Sequence, residues 1–319
     1  MSRRSLRIVF LGTADFAVPS LFALVEAGHE MLAVVTQPDK PSGRGRLLTP
    51  PPVKTAAIAR GLPVLQPRRV RQETFVTQMR DLRPDVLALA AFGQIVPQAL
   101  LDLPPLGPIN VHGSLLPRYR GAAPIQRAIM AGETETGVTT MWMDATLDTG
   151  DILLARSLPI LPEDNAGTMF EKLSEVGADL LVETLDGLAA GSIVRKPQDD
   201  SLATFAPALA TNDGLVRWTE TAAAAWNRIR GVTPRPGAFA TFQGRRIKIW
   251  AAEPIESVGG APGEMLRIDK RPPGIVVACG DGALRITELQ PESAKRMTAD
   301  SWARGNRLAP GARFEILTP

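Results

Sequence analysis

Asp85-Val-Leu-Ala-Leu-Ala-Ala91 opens on one acid and then runs through six apolar residues. No polar residue alternates along it, so a strand built from it buries both faces, as the central strand of a parallel sheet does. Working outward, Leu6-Arg-Ile-Val-Phe-Leu-Gly12 has the same apolar character and stops at a glycine turn. Residues 31–36 give a second strand, residues 64–65 a short one, and Ile109-Asn-Val-His112 another. Between them, residues 19–27, 53–60 and 73–82 carry helical apolar spacing, the first stopped by Gly28. This alternation predicts an open, mostly parallel α/β sheet with right-handed crossovers.

Further along, residues 137–143 and 152–160 read as a pair of strands. Residues 168–190 read as one long helix with Leu173, Val176, Leu180, Leu181 and Leu188 on its apolar side. A polar, proline-containing stretch follows, placed as a linker at 191–206. The pattern then changes to short strands at 239–242, 245–251, 265–268, 274–278 and 284–289, parted by glycine-containing turns. Short strands without intervening helices predict a small β-barrel. The expected division is therefore 1–190, a linker at 191–206, and 207–319.

The 319 residues weigh 34.2 kDa, which suits two domains. With 45% hydrophobic and 22% charged residues the chain is ordinary globular material, not a disordered one. One cysteine, Cys279, excludes an internal disulfide and cysteine-rich zinc sites. Ile8-Val-Phe-Leu11 is too short for a secretory signal, and residues 86–101 are too interrupted to span a bilayer. A soluble, cytoplasmic protein is expected. Residues 1–206 hold 20 basic and 22 acidic side chains; the remainder hold 16 and 11, a net of +5. That bias makes the C-terminal third a candidate RNA-facing surface, against the plainer reading of a solvated one.

Gly12 is followed by Thr13-Ala-Asp-Phe16, so the G-x-G-x-x-G fingerprint is absent, as is a Walker A sequence. Binding of NAD or ATP is not supported. Asn110 and His112 stand two apart on a strand and project to one side, at the C-terminal edge where open α/β sheets take ligands. His29, the other histidine, lies in a helix-to-strand turn and reads as structural. Asp148-Thr-Gly150 recurs in aspartic proteases, but those need two copies and this chain has one. Folded back onto His112, Asp148 would orient or charge the imidazole.

Asn110, His112 and Asp148, with Ser114-Leu-Leu-Pro117 between them, resemble the signature of the 10-formyltetrahydrofolate-dependent formyltransferases. The wider strings 10–16, 37–46, 114–126 and 305–308 resemble the branch of that family directed at methionyl-tRNA. The resemblance runs over essentially the whole chain. It implies a Rossmann-like catalytic domain followed by an OB-like barrel that binds tRNA. It implies formyl transfer from 10-formyltetrahydrofolate to the methionine amine of initiator methionyl-tRNA, with Asn110, His112 and Asp148 as the catalytic residues. Ser114, Leu115, Leu116 and Pro117 are expected along the folate. The stretch holding Ala90, Phe92, Gly93 and Gln94 is expected at the pterin edge, met through its backbone. No metal is expected, because hydrogen bonds can activate a formamide carbonyl. A folate-dependent enzyme acting on a nucleotide-sugar or ribonucleotide amine is the alternative; a silent RNA-binding module is a third reading. No heptad run marks an obligate partner, so a monomer is expected.

The stretch 37–52 is rich in Pro, Gly and basic residues and is read as a long loop without helix or strand. The resemblance implies that it meets the acceptor stem. Lys40, Arg44 and Arg46 on it, with Arg246 and Lys248 on one face of a later strand, are the expected tRNA contacts.

Overall fold

The structure is a computed structural model that describes residues 4–42, 47–256 and 259–317. The chain forms two compact units. The first is Met1–Pro124, Thr136–Leu158 and Phe170–Ala206; the second is Ile125–Glu135, Pro159–Met169 and Pro207–Pro319.

In chain order the elements through the first 206 residues are β1 (Arg7–Gly12), α1 (Ala17–Glu26), β2 (Glu30–Val35), β3 (Lys40–Ser42), β4 (Leu47–Thr49), α2 (Pro52–Ala59), β5 (Val64–Leu65), α3 (Glu73–Leu82), β6 (Val86–Ala90), α4 (Gln98–Leu101), β7 (Pro108–His112), α5 (Pro124–Met130), β8 (Glu135–Trp142), β9 (Ile152–Pro159) and α6 (Ala166–Ala189). Seven strands form one sheet in the order β5-β2-β1-β6-β7-β8-β9. Pairs β2–β5, β1–β2, β1–β6 and β6–β7 are parallel, and β7–β8 is antiparallel. The sheet is thus mostly parallel, and every residue of β6 is buried between β1 and β7. After β1 the chain builds outward through β2 and β5, then returns to lay β6 on the other side of β1. The reversal puts a crevice at the C-terminal ends of β1 and β6, where such sheets bind ligands. Gly12 ends β1 because space is short: a β-carbon there would stand 2.7 Å from the Phe10 ring and 2.8 Å from that of Ala17. Packing, not phosphate binding, explains this glycine.

The loop expected at 37–52 contains a small hairpin instead. Strands β3 and β4 pair antiparallel, with Lys40 opposite Thr49 and Pro41 opposite Leu48. Strands of three residues, one of them carrying a proline, leave no alternation to read.

The second unit holds α7 (Ala222–Val232), β10 (Ala238–Phe242), β11 (Arg245–Ile255), β12 (Met265–Lys270), β13 (Pro273–Ala278), β14 (Ala283–Pro291), β15 (Met297–Thr298) and α8 (Ala299–Gly305). The sheet is antiparallel in the order β10-β11-β14-β13-β12, with β15 on β14. Two register shifts in β11, between Ile249 and Ala252, bend the longest strand. Its core gathers Trp218, Phe242, Trp302 and Phe314 in aromatic contact. The two helices were not anticipated. Thr221 caps α7 by accepting from Ala224 N at 3.2 Å, but the alanine run that follows offers little apolar periodicity. Among the described residues, no helix is long and apolar enough to cross a membrane.

Candidate functional site

Strand β7 carries Asn110 and His112 to the C-terminal edge of the sheet. In register, Asn110 lies beside Leu89 of β6 and Met141 of β8, and His112 beside Thr139. The His112 Nε2 stands 3.0 Å from the carbonyl oxygen of Tyr119. A carbonyl only accepts, so Nε2 carries the hydrogen and Nδ1 is the nitrogen left for chemistry. That nitrogen stands 3.7 Å from Asp148 Oδ2, with the two side chains 6% and 15% exposed. The fold therefore brings together residues that lie 36 positions apart. The separation exceeds a direct hydrogen bond, which leaves Nδ1 able to serve a third atom placed between them. Asn110 is half-buried, and no hydrogen bond to its carboxamide is found among the described residues.

Asp148 sits at φ 54, in the left-handed region that aspartate and asparagine tolerate best after glycine. Its Oδ2 also accepts from Gly121 N at 2.8 Å. Its own carbonyl accepts from Gln198 Nε2 at 2.8 Å, and the same amide donates to Gly150 O at 2.7 Å. A β-carbon on Gly150 would run into the Trp142 carbonyl, so that position admits only glycine. Ahead of the turn, Asp144 accepts from Thr146 N at 2.9 Å and from Thr149 Oγ1 at 2.8 Å. Burial pushes its carboxyl up, but the bonds from Thr146 and Thr149 outweigh that and hold it below the usual value.

The residues expected along the folate divide by orientation. Ser114 is fully buried and donates to Arg118 O at 2.7 Å, while its carbonyl accepts from Thr139 Oγ1 at 2.7 Å. Leu116 is buried and its N–H is bound by the same hydroxyl at 3.1 Å. Leu115 and Pro117 are half-buried, so of the four they are the side chains open to a ligand. Beyond β6, Ala90 and Phe92 are buried, while Ala91 and Gly93 are exposed at φ 42 and φ 80. Two successive positive-φ positions with one between them turn backbone groups, not side chains, toward the crevice. Gln94 faces away from that role: its Oε1 accepts from Val70 N at 3.1 Å.

Among the expected tRNA contacts, Lys40, Arg246 and Lys248 are exposed. Arg246 lies over the Phe239 ring at 3.6 Å, and Ile247 and Ile249 face inward between the basic residues. Arg44 and Arg46 lie outside the described residues.

Several groups around the site were not anticipated. Gln37 Nε2 donates to Phe92 O at 3.0 Å and Gly93 O at 2.9 Å, while its Oε1 accepts from Lys40 Nζ. Thr13 Oγ1 donates to Phe92 O at 2.7 Å. Arg120 is buried, and its Nε and Nη2 hold Gln198 Oε1 at 3.0 and 2.8 Å. Gln37 and Arg120 sit inside the strings that carry the resemblance; Gln198 carries no motif, and only the three-dimensional structure reveals it.

Comparison with known proteins follows the same outline. The family model described as "Formyl transferase" matches residues 6–185, and that described as "Formyl transferase, C-terminal domain" matches residues 208–307. A "Methionyl-tRNA formyltransferase" of Geobacter metallireducens is 50% identical over 309 residues, covering 97% of this chain and 98% of that one. The protein of that name from Solibacter usitatus is 52% identical over 310 residues, covering 97% and 98%. Among solved structures, an N-formyltransferase from Helicobacter canadensis, in complex with folinic acid and dTDP-3-aminofucose, superposes with a TM-score of 0.65. It is 17% identical over 92% of this chain and 100% of its own. HypX from Aquifex aeolicus, in complex with tetrahydrofolic acid, gives 0.64 at 18% identity, covering 94% of this chain and 47% of that one. These two likenesses show the fold.

Proposed function

The chain belongs to the formyl transferase family, and on that premise we propose that it moves the formyl group of 10-formyltetrahydrofolate onto the α-amino group of methionine on initiator methionyl-tRNA, for translation initiation. The observation that carries the reading is the meeting of Asp148 with Nδ1 of His112 beside the unpaired amide of Asn110. Relatives named for this reaction are half identical across both units, which favours the tRNA acceptor over a nucleotide-sugar or ribonucleotide amine.

The crevice at the ends of β1 and β6 suits the donor. Exposed backbone at Ala91 and Gly93, beside the half-buried Leu115 and Pro117, offers polar edges and apolar sides to a flat heterocycle. When bound, the folate supplies a formamide carbon open to an amine. Asn110 donates an amide hydrogen to the formyl oxygen as negative charge grows there; one such donor is worth about 3 kcal/mol in the transition state. His112, protonated at Nδ1, adds a charged hydrogen bond from the gap it shares with Asp148. Asp148 steadies that positive charge and takes part in moving the proton that the amine gives up. Asn110, His112 and Asp148 are thus the catalytic residues of the proposal.

We place the chemistry in residues 1–190 and the tRNA contacts in residues 207–319, with Lys40, Arg44, Arg46, Arg246 and Lys248 meeting phosphates. The net +5 of the C-terminal third supports that division. The protein is taken to work in the cytoplasm as a monomer. The test is formyl transfer from 10-formyltetrahydrofolate to initiator methionyl-tRNA, run beside elongator methionyl-tRNA, a dTDP-aminosugar and glycinamide ribonucleotide. Preferred transfer to the initiator is the expected result. Transfer to a small amine, with none to tRNA, overturns the reading.

A further inference from the structure

Residues 192–206, placed as a linker on composition and lying outside both matched family regions, are bound along the loops that hold the site. Lys196 exchanges two backbone hydrogen bonds with Ile152, at 2.8 and 2.9 Å. Arg195 pairs with Asp151 at 2.9 Å and lies 4.1 Å above the Trp142 ring. Ala206 closes the far end, donating to Arg120 O at 2.7 Å and accepting from Ala123 N at 3.0 Å.

Two residues of this segment reach the neighbours of His112. Gln198 holds the backbone of Asp148 and Gly150 through one amide, and is itself gripped by the buried Arg120, which also pairs with Asp200 at 2.7 Å. Thr204 Oγ1 accepts from Tyr119 N at 2.8 Å. Tyr119 in turn provides the carbonyl that His112 Nε2 bonds, and it sits at φ 61. Both partners of the imidazole therefore occupy uncommon backbone conformations, and both are pinned from this one segment. A strained conformation persists where its surroundings over-determine it.

We propose that Gln198 and Thr204 are positioning residues for the transfer, Gln198 setting Asp148 against Nδ1 and Thr204 setting the Tyr119 carbonyl against Nε2 of His112. The segment is thereby part of the catalytic apparatus. The inference rests on the proposed formyl transfer.

The test uses the full chain with Gln198→Met and Thr204→Val, which keep approximate size and remove the bonds. Formylation of initiator methionyl-tRNA by the unaltered protein is measured first; its absence would refute the proposed function and not this inference. Given that activity, kcat should fall about 10- to 100-fold in each variant, the scale of a misplaced catalytic group, with KM for folate and for tRNA changed less than about 3-fold. Thr204→Ser restores the hydroxyl and should recover most of the loss. The chain has two histidines, His29 and His112, so the ring nitrogens of His112 can be followed by 15N NMR at fixed pH. Their signals should move in both variants, while thermal unfolding shows the fold intact. Unchanged kcat with unmoved ring signals overturns the proposal, and so does a loss that appears only in KM. Should either variant fail to fold, the pair Thr204→Ser and Gln198→Glu decides it: Gln198→Glu places an acceptor against two carbonyls and should lower kcat where Thr204→Ser does not.

Discussion

Replacing Asp148 by asparagine isolates charge from shape. The residue sits at φ 54, which asparagine tolerates and alanine does not, so Asp148→Asn adds no backbone strain. The asparagine carbonyl can still accept from Gly121 N, and the bonds from Gln198 to the Asp148 and Gly150 carbonyls are untouched. What disappears is a negative charge 3.7 Å from Nδ1 of His112. At an effective dielectric constant of about 20, two unit charges at that distance interact by about 4 kcal/mol. Were all of it expressed in the transition state, the rate would fall about 1,000-fold, since each 1.36 kcal/mol is tenfold. The amide dipole keeps part of the attraction, so a fall of about 100- to 1,000-fold is expected. Single-turnover formyl transfer with enzyme in excess over initiator methionyl-tRNA reads the step directly. Folate affinity should be unchanged, and the melting temperature should stay close to that of the parent. A rate within about fivefold of the parent would remove Asp148 from the mechanism.

Asn110→Ala should cost about 3 kcal/mol of the same step, and combining it with Asp148→Asn should lose less than the sum in the same single-turnover assay, because the groups act on one charge distribution. Arg246→Ala with Lys248→Ala should weaken tRNA binding at all sequences and lower the slope of log affinity against log salt by about 2; an unchanged slope removes both from the contact surface. Asp213 binds Arg127 through two bonds of 3.0 and 2.9 Å; burial works against its charge, but the Arg127 bonds hold its carboxyl below the ordinary 3.8. Its contribution to stability is therefore complete above that value and lost as pH falls through the lower folded one, so urea titrations of Asp213→Asn should show a deficit at pH 7 that closes below about pH 4. Burial pushes the Cys279 thiol up to about 12, so the native protein should resist thiol alkylation at pH 8 and react only when unfolded.

The parallel sheet was legible because its strands bury both faces, and apolar runs such as residues 86–90 read the same way in any register. The hairpin at Lys40–Ser42 and Leu47–Thr49 was not, since exposed three-residue strands impose no hydrophobic pattern. The catalytic trio came from resemblance: spacing alone put Asn110 and His112 on one strand face but could not bring Asp148 back to them. Gln198 was hidden for a physical reason. A segment that binds carbonyls and carboxylates of loops needs polar side chains, and that composition is the one a solvated linker has. Chain continuity likewise concealed that Ile125–Glu135 and Pro159–Met169 belong to the second unit. There Arg127 reaches Asp213, and Arg230 reaches the carbonyls of Leu161 and Asp164 at 3.0 and 3.1 Å.

Four of the five tryptophans, Trp218, Trp226, Trp250 and Trp302, lie beyond residue 206, and Trp218 and Trp302 are packed against Phe314. The first unit has Trp142 alone, with the Arg195 guanidinium over its ring. The natural emission of the protein is thus a gauge of the C-terminal unit. A fluorescence melt will report when that aromatic cluster opens and will be nearly blind to the sheet that carries Asn110 and His112. A tidy single transition in such a curve would certify one half of the molecule while the half that does the chemistry had already come apart, or had yet to.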